Sequence, residues 1–149
     1  MKSRKIIIFV AILFLLTAIA AVIHLNTREE IPENALKITV GDKEYFIDIE
    51  KLEYKHVEGT RVNGKGEEIT VDGQGIRLQK VLENVDITEY SEVSVISDDS
   101  YSASLSSEEV ADTEKAFLLR QEEKGLRLVV FGDENSKRSV SNIVHVIVK

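Results

Sequence analysis

Hydrophobic and polar positions divide this chain into two unlike parts. From Ile6 to Ile23 the sequence is apolar apart from Thr17, whose hydroxyl can bond back to its own helix. Eighteen helical residues rise roughly 27 Å, enough to cross a bilayer core. Lys2, Arg4 and Lys5 precede the run, and such a basic cluster stays cytoplasmic, which puts everything after His24 outside. Residues 1–24 therefore read as a single-pass anchor in the cell membrane. A signal peptide cut after Ala18-Ile19-Ala20, releasing a secreted form, is the alternative. The run exceeds an ordinary signal core, which favours the uncleaved anchor. His24 belongs to the membrane boundary. Residues 25–35 are polar, hold Pro32 and read as a linker; residues 36–149 form the domain.

In the domain the period changes to two. Leu36, Ile38 and Val40 alternate with Lys37 and Thr39, Gly41-Asp42 turns, and Glu44 to Ile47 returns, which predicts a hairpin. Asp48 is placed to cap a short helical turn with Ile49 and Leu52. Five of the eight glycines fall between Gly59 and Gly75, so that stretch is expected to be loop-rich, with Glu68 to Val71 as a short strand and Gly73-x-Gly75 as a turn. Leu78, Val81 and Leu82 predict a short amphipathic helix. Glu92 to Ser97 is a strand, Asp98-Asp99-Ser100 a turn, and Tyr101, Ala103 and Leu105 the returning strand. Ser106 or Ser107 starts a helix to Asp112 with Glu109 completing a capping box. Ala116 to Leu119 fits strand or helix, Leu126 to Phe131 is a strand, and Val140 to Val148 closes the domain with Val144, Val146 and Val148 on one face. The class is α+β, mostly β, with a mixed or antiparallel sheet and short helices.

Charge and composition narrow the functions. The chain holds 19 Lys+Arg and 26 Asp+Glu. Three of the cations precede the apolar run, which leaves the remainder at −10. An acidic surface repels phosphodiester backbones and excludes nucleic acid as a partner. There is no cysteine, hence no disulfide, thiolate metal site, cysteine nucleophile or lipidated cysteine.

The order of several segments resembles a known family. Ile47-Asp48-Ile49-Glu50-Lys51-Leu52, Gly75-Ile76-Arg77-Leu78-Gln79-Lys80-Val81-Leu82, Asp99-Ser100-Tyr101 and Leu126-Arg127-Leu128-Val129-Val130-Phe131 follow one another at the spacing of the oxidoreductase molybdopterin-binding domain, the sulfite-oxidase-type fold, in its small stand-alone bacterial form. The resemblance covers most of Ile38 to Val148. It implies that fold and, for catalytic members, molybdenum held by a cysteine thiolate. This chain has no such ligand, and it carries Ser100 where the motif has Gly and Phe131 where it has Pro. The resemblance therefore implies a kept fold with molybdenum ligation lost; molybdopterin enters as a cofactor by resemblance only.

Candidate site residues follow from side-chain chemistry. Arg61, Arg77, Arg127, Lys137 and Arg138 are placed to surround an anion such as a pterin phosphate, because a guanidinium fork matches phosphate oxygens. Arg127 lies in the strand that carries the resemblance. Asp99 and Tyr101 could move a proton. His56 and His145 are candidate metal or haem ligands, although their spacing is not that of a metal motif. Asp98-Asp99-Ser100 and Asp133-Glu134-Asn135 offer oxygen ligands for calcium without the EF-hand spacing, and fit ordinary turns better. No catalytic residue and no metal site is assigned. The expectation is a non-catalytic binding or accessory module on the far side of the membrane, with an extracytoplasmic protein or small molecule as partner. A redox enzyme that holds a pterin through Arg61, Arg77 and Arg127, and a cell-surface protein-interaction domain, are the alternatives.

Overall fold

The computed structural model describes residues 2–26, 31–123, 125–134 and 136–149. The chain separates into two units, Met1–Ile31 and Pro32–Lys149. In the first, α1 runs over Lys2–Asn26, and its segment Ser3–Leu25 is long and apolar enough to cross a membrane. Its apolar side chains are exposed all round, as a lipid-facing or leader helix requires and a core helix does not. Thr17 Oγ1 donates to the Leu13 carbonyl at 2.7 Å, so the one hydroxyl is satisfied within the helix. Residues 27–30 of the expected linker lie outside the described residues.

The second unit is α+β. A five-stranded mixed sheet has the order β2-β1-β9-β5-β6, from β1 (Ala35–Val40), β2 (Lys43–Asp48), β5 (Glu92–Ser97), β6 (Ser102–Ser106) and β9 (Ile143–Val148). Every pairing is antiparallel except β1 with β9. A four-stranded antiparallel sheet has the order β3-β4-β7-β8, from β3 (Lys55–Val62), β4 (Glu68–Arg77), β7 (Ala116–Arg120) and β8 (Leu126–Val130). Leu36, Ile38, Val93, Val95 and Val146 of the first sheet share one core with Ile76, Leu118, Leu128 and Val130 of the second. Two short helices add to that core: α2 (Leu78–Glu83) through Leu78, Val81 and Leu82, and α3 (Ser107–Ala111) through Val110. The expected caps are present. Asp48 accepts from the Glu50 backbone at 3.0 Å ahead of a 3-10 turn, and Ser106 with Glu109 forms the capping box of α3.

Two local expectations need correction. Residues 59–75 are not a loop but the bulk of a long hairpin, with β3 and β4 in register from Lys55↔Gly75 to Val62↔Glu68. Gly64 and Gly66 lie in the turn between the strands, Gly66 with a left-handed φ of 81°, whereas Gly59 and Gly75 serve packing. A Cβ on Gly59 would stand 2.7 Å from the Phe131 ring, and one on Gly75 would stand 2.6 Å from Leu119. Gly73-x-Gly75 likewise lies within β4 and is no turn. The closing strand also breaks its alternation: Val146 and Val148 are buried, whereas Val144 is 44% exposed. The register against β5 shifts between Ile96↔His145 and Ser97↔Ile143, so Val144 is the extra residue of a β-bulge and leaves the core face.

In the four-stranded sheet, β7 and β8 are buried on both sides. Ala116 and Leu118 face the main core, while Phe117 and Leu119 join Val57, Val71, Val129 and Phe131 in a second apolar cluster. The Phe117 and Phe131 rings meet at 5.5 Å with a tilt of 53°, an ordinary attractive aromatic geometry. This two-sided burial explains the near-continuous apolar runs of β7 and β8. It also shows that the sheet curls until its edge strands meet: the Gly132 N–H beyond β8 donates to the Thr60 carbonyl of β3 at 3.3 Å, beside the contact of Gly59 with Phe131.

Gly59→Ala should therefore destabilise the domain by about 1–3 kcal/mol, the usual cost of overpacking. Gly73→Ala should be neutral or slightly stabilising, because nothing stands within 4 Å of its added Cβ. Thermal melts of the two variants check the contrast.

Candidate functional site

The curl of β3 over β8 sets two guanidinium groups side by side. Arg61 pairs with Ile69 across the hairpin, and Arg127 pairs with Leu119 on the neighbouring ladder. Both line a cleft of about 920 Å³, of the size ordinary for small-ligand sites. Its apolar floor includes Val71, Leu119 and Val129, and its rim includes Asp98, Glu122 and Glu123. Arg61 Nε is shielded from water and has no hydrogen-bond partner. Burial, and then the positive charge of Arg127, lowers the Arg61 pKa from its usual value. Neither arginine forms an ion pair among the described residues; Arg127 Nε donates to Ser139 Oγ at 3.2 Å. Two like charges held together, one with an unsatisfied donor, can be relieved by an anion placed between them.

Other cleft residues gave no signal in the sequence. Gln121 and Asn142 brace the rim: the Gln121 side-chain oxygen accepts from the Asn142 backbone at 3.1 Å, and Asn142 takes a left-handed φ of 50°. Arg120 also lines the cleft, but it is committed to Glu50 and lies 5.6 Å over the Tyr54 ring. Burial pushes the Tyr54 hydroxyl up to about 12, and it donates to the Ile49 carbonyl at 2.7 Å.

The remaining candidates are dispersed. Arg77 closes β4 and lines a separate hollow. Arg138 is held by Asp133 and by Glu109, the latter at 2.7 Å, and so braces the turn after β8. Burial works against the charge of Glu109, but bonds from the Ser106 backbone and Arg138 outweigh it and hold its carboxyl below the usual range. Lys137 offers its backbone carbonyl to the Tyr101 hydroxyl. Asp99 accepts from the Ser97 hydroxyl and from the Tyr101 backbone at 3.1 Å. Those two bonds hold its carboxyl below the ordinary range and make it the brace of a turn. Asp99 and Tyr101 are thus structural neighbours outside the Arg61–Arg127 cleft. Ser100 between them takes φ 70°, a left-handed conformation that glycine adopts without strain.

The histidines are not brought together. His56 lies on β3 with its Nδ1 3.5 Å from Asp72, exposed to solvent. His145 lies on the outer face of β9, half-buried, with Nε2 2.8 Å from Thr39 Oγ1. Among the described residues no group of three or more His, Cys, Asp or Glu could hold a metal ion. Of the oxygen-rich turns, Asp133 is taken by Arg138 and Asn135 lies outside the described residues.

No protein-family model matches this chain, and no curated protein matches it either.

Ser100→Gly should raise stability by about 1 kcal/mol by removing left-handed strain, read from denaturant midpoints. His145 has its pKa lowered by burial and then by the Lys37 charge, so the unfolded chain takes up this proton more readily than the folded one. Stability should be full above the unfolded value of about 6.5 and fall as pH drops through the folded pKa. His145→Gln should flatten that segment of the stability–pH curve.

Proposed function

We propose that this chain is a membrane-anchored module whose domain lies on the extracytoplasmic side and binds an anionic group between Arg61 and Arg127. The apolar α1 and the basic residues Lys2, Arg4 and Lys5 before it support the anchor and its orientation. The observation that carries the ligand class is the shielded, unpartnered Arg61 Nε beside a second guanidinium. An arrangement that costs folding energy when empty is expected where occupancy repays it.

The sequence resemblance to molybdopterin-binding oxidoreductases supports a domain of that type with a changed role. A molybdenum ion ligated as in those enzymes does not fit these residues, since the chain has no cysteine and the cleft offers guanidinium, carboxylate and amide groups instead. Arg61 and Arg127 suit the phosphate of a pterin or another phosphorylated ligand. The module therefore acts by binding, as an accessory to other extracytoplasmic components, and not as a molybdenum oxidoreductase.

Arg61→Met in the full chain tests this reading. Without ligand it should raise stability by about 1 kcal/mol, because it removes an unsatisfied donor and a like-charge contact at a partly exposed site. With pyrophosphate the native protein should gain several degrees in melting temperature and the variant should gain none. Equal gains in both, or stoichiometric molybdenum in protein purified from its own membranes, would overturn the reading.

A further inference from the structure

A cationic hollow lies apart from the Arg61–Arg127 cleft, and the two share no lining residue. It has a volume of about 600 Å³ and opens between β3, the end of β4 and the start of α2. Lys51, Lys55, Arg77 and Lys80 line it, with Glu53 the one acid among its lining residues. In a chain of net charge −7 such a concentration runs against the average surface. Two of these cations have acidic neighbours outside the hollow: Lys51 stands 3.5 Å from Asp48 and Lys80 3.3 Å from Glu83. Lys55 and Arg77 make no ion pair among the described residues. Arg77 is half-buried, and its backbone register with Phe117 fixes where its side chain leaves the sheet. The wall beside these charges is apolar, formed by Val57 and the half-buried Phe117 ring.

We infer that this hollow is a binding site for a phosphate monoester carrying a flat apolar group. Arg77 supplies the guanidinium fork, Lys55 a second charge for the phosphate oxygens, and Phe117 with Val57 a surface for the apolar part. Lys51 and Lys80 raise the local potential and draw the anion in. Free monoesters and phosphatidic acid, whose headgroup is itself a phosphate monoester, share this chemistry. The inference does not rest on the Arg61–Arg127 reading, since none of its residues serves that cleft.

The test uses the full chain in phosphatidylcholine nanodiscs with phenyl phosphate as probe, read by backbone amide shifts. Saturable shifts at Lys55, Arg77 and Phe117 are expected, with orthophosphate at least tenfold weaker. Arg77→Gln and Lys55→Gln, both at partly or fully exposed positions, should each weaken phenyl phosphate at least tenfold, while Arg61→Met leaves it unchanged. If phosphatidic acid in the nanodisc shifts the same amides and Arg77→Gln abolishes the shift, the phosphate comes from lipid and the site stands. Shifts insensitive to Arg77→Gln, or no shift with either source, would overturn the proposal. Equal loss with Arg61→Met would place binding in the other cleft and also overturn it.

Discussion

The close approach of β3 to β8 depends on one missing side chain. The Phe131 ring occupies the space that a Cβ on Gly59 would need, so the hairpin can fold across the outer face of β7 and β8. That contact seals the second apolar cluster and lets the edge strands exchange the Gly132–Thr60 hydrogen bond. It also positions Arg61, two residues beyond Gly59, beside Arg127 on the strand that leads into Phe131. Packing and charge are coupled here: hydrophobic burial on one stretch of β3 forces an electrostatic conflict on the next.

The balance between those terms explains how an acidic domain can keep cations that lack an acidic partner. Acidic groups elsewhere are spent locally, Glu109 and Asp133 on Arg138 and Glu50 on Arg120, in pairs that fix turns and strand ends. The exposed Arg120–Glu50 pair contributes little stability, and the part-buried Arg138 pairs fix their turn; together they determine which cations remain available. Arg61 and Arg127 lie outside the pairing, and so do Lys55 and Arg77.

Much of the fold was legible in the sequence because it rests on local signals. The Leu36–Val40 hairpin, the Asp48 turn, the Leu78–Leu82 helix and the Ser106–Glu109 capping box each declare themselves within a few residues. Gly59 and Gly75 misled because their role is set by Phe131 and Leu119, about seventy and forty residues further along the chain. Val144 misled for a similar reason, since a bulge against β5 leaves no mark on β9 itself. In the site, Arg61 and Arg127 were identifiable by chemistry, but their adjacency was not. Gln121 and Asn142 had no signal at all, because a brace between backbone and amide has no sequence pattern. Arg77, grouped with them by residue type, serves a different hollow.

The place of β9 has a consequence for how the domain is made. This strand lies between β1 and β5 in the middle of its sheet, and Lys149 bonds back to Ser91 and Glu92. Until Ile143 to Val148 arrive, β1 with β2 and β5 with β6 are two separate hairpins with unpaired edges and exposed apolar faces. A ribosome delivers those residues after every other strand. The five-stranded sheet therefore cannot close until its central strand has been made, and the two hairpins wait apart until then.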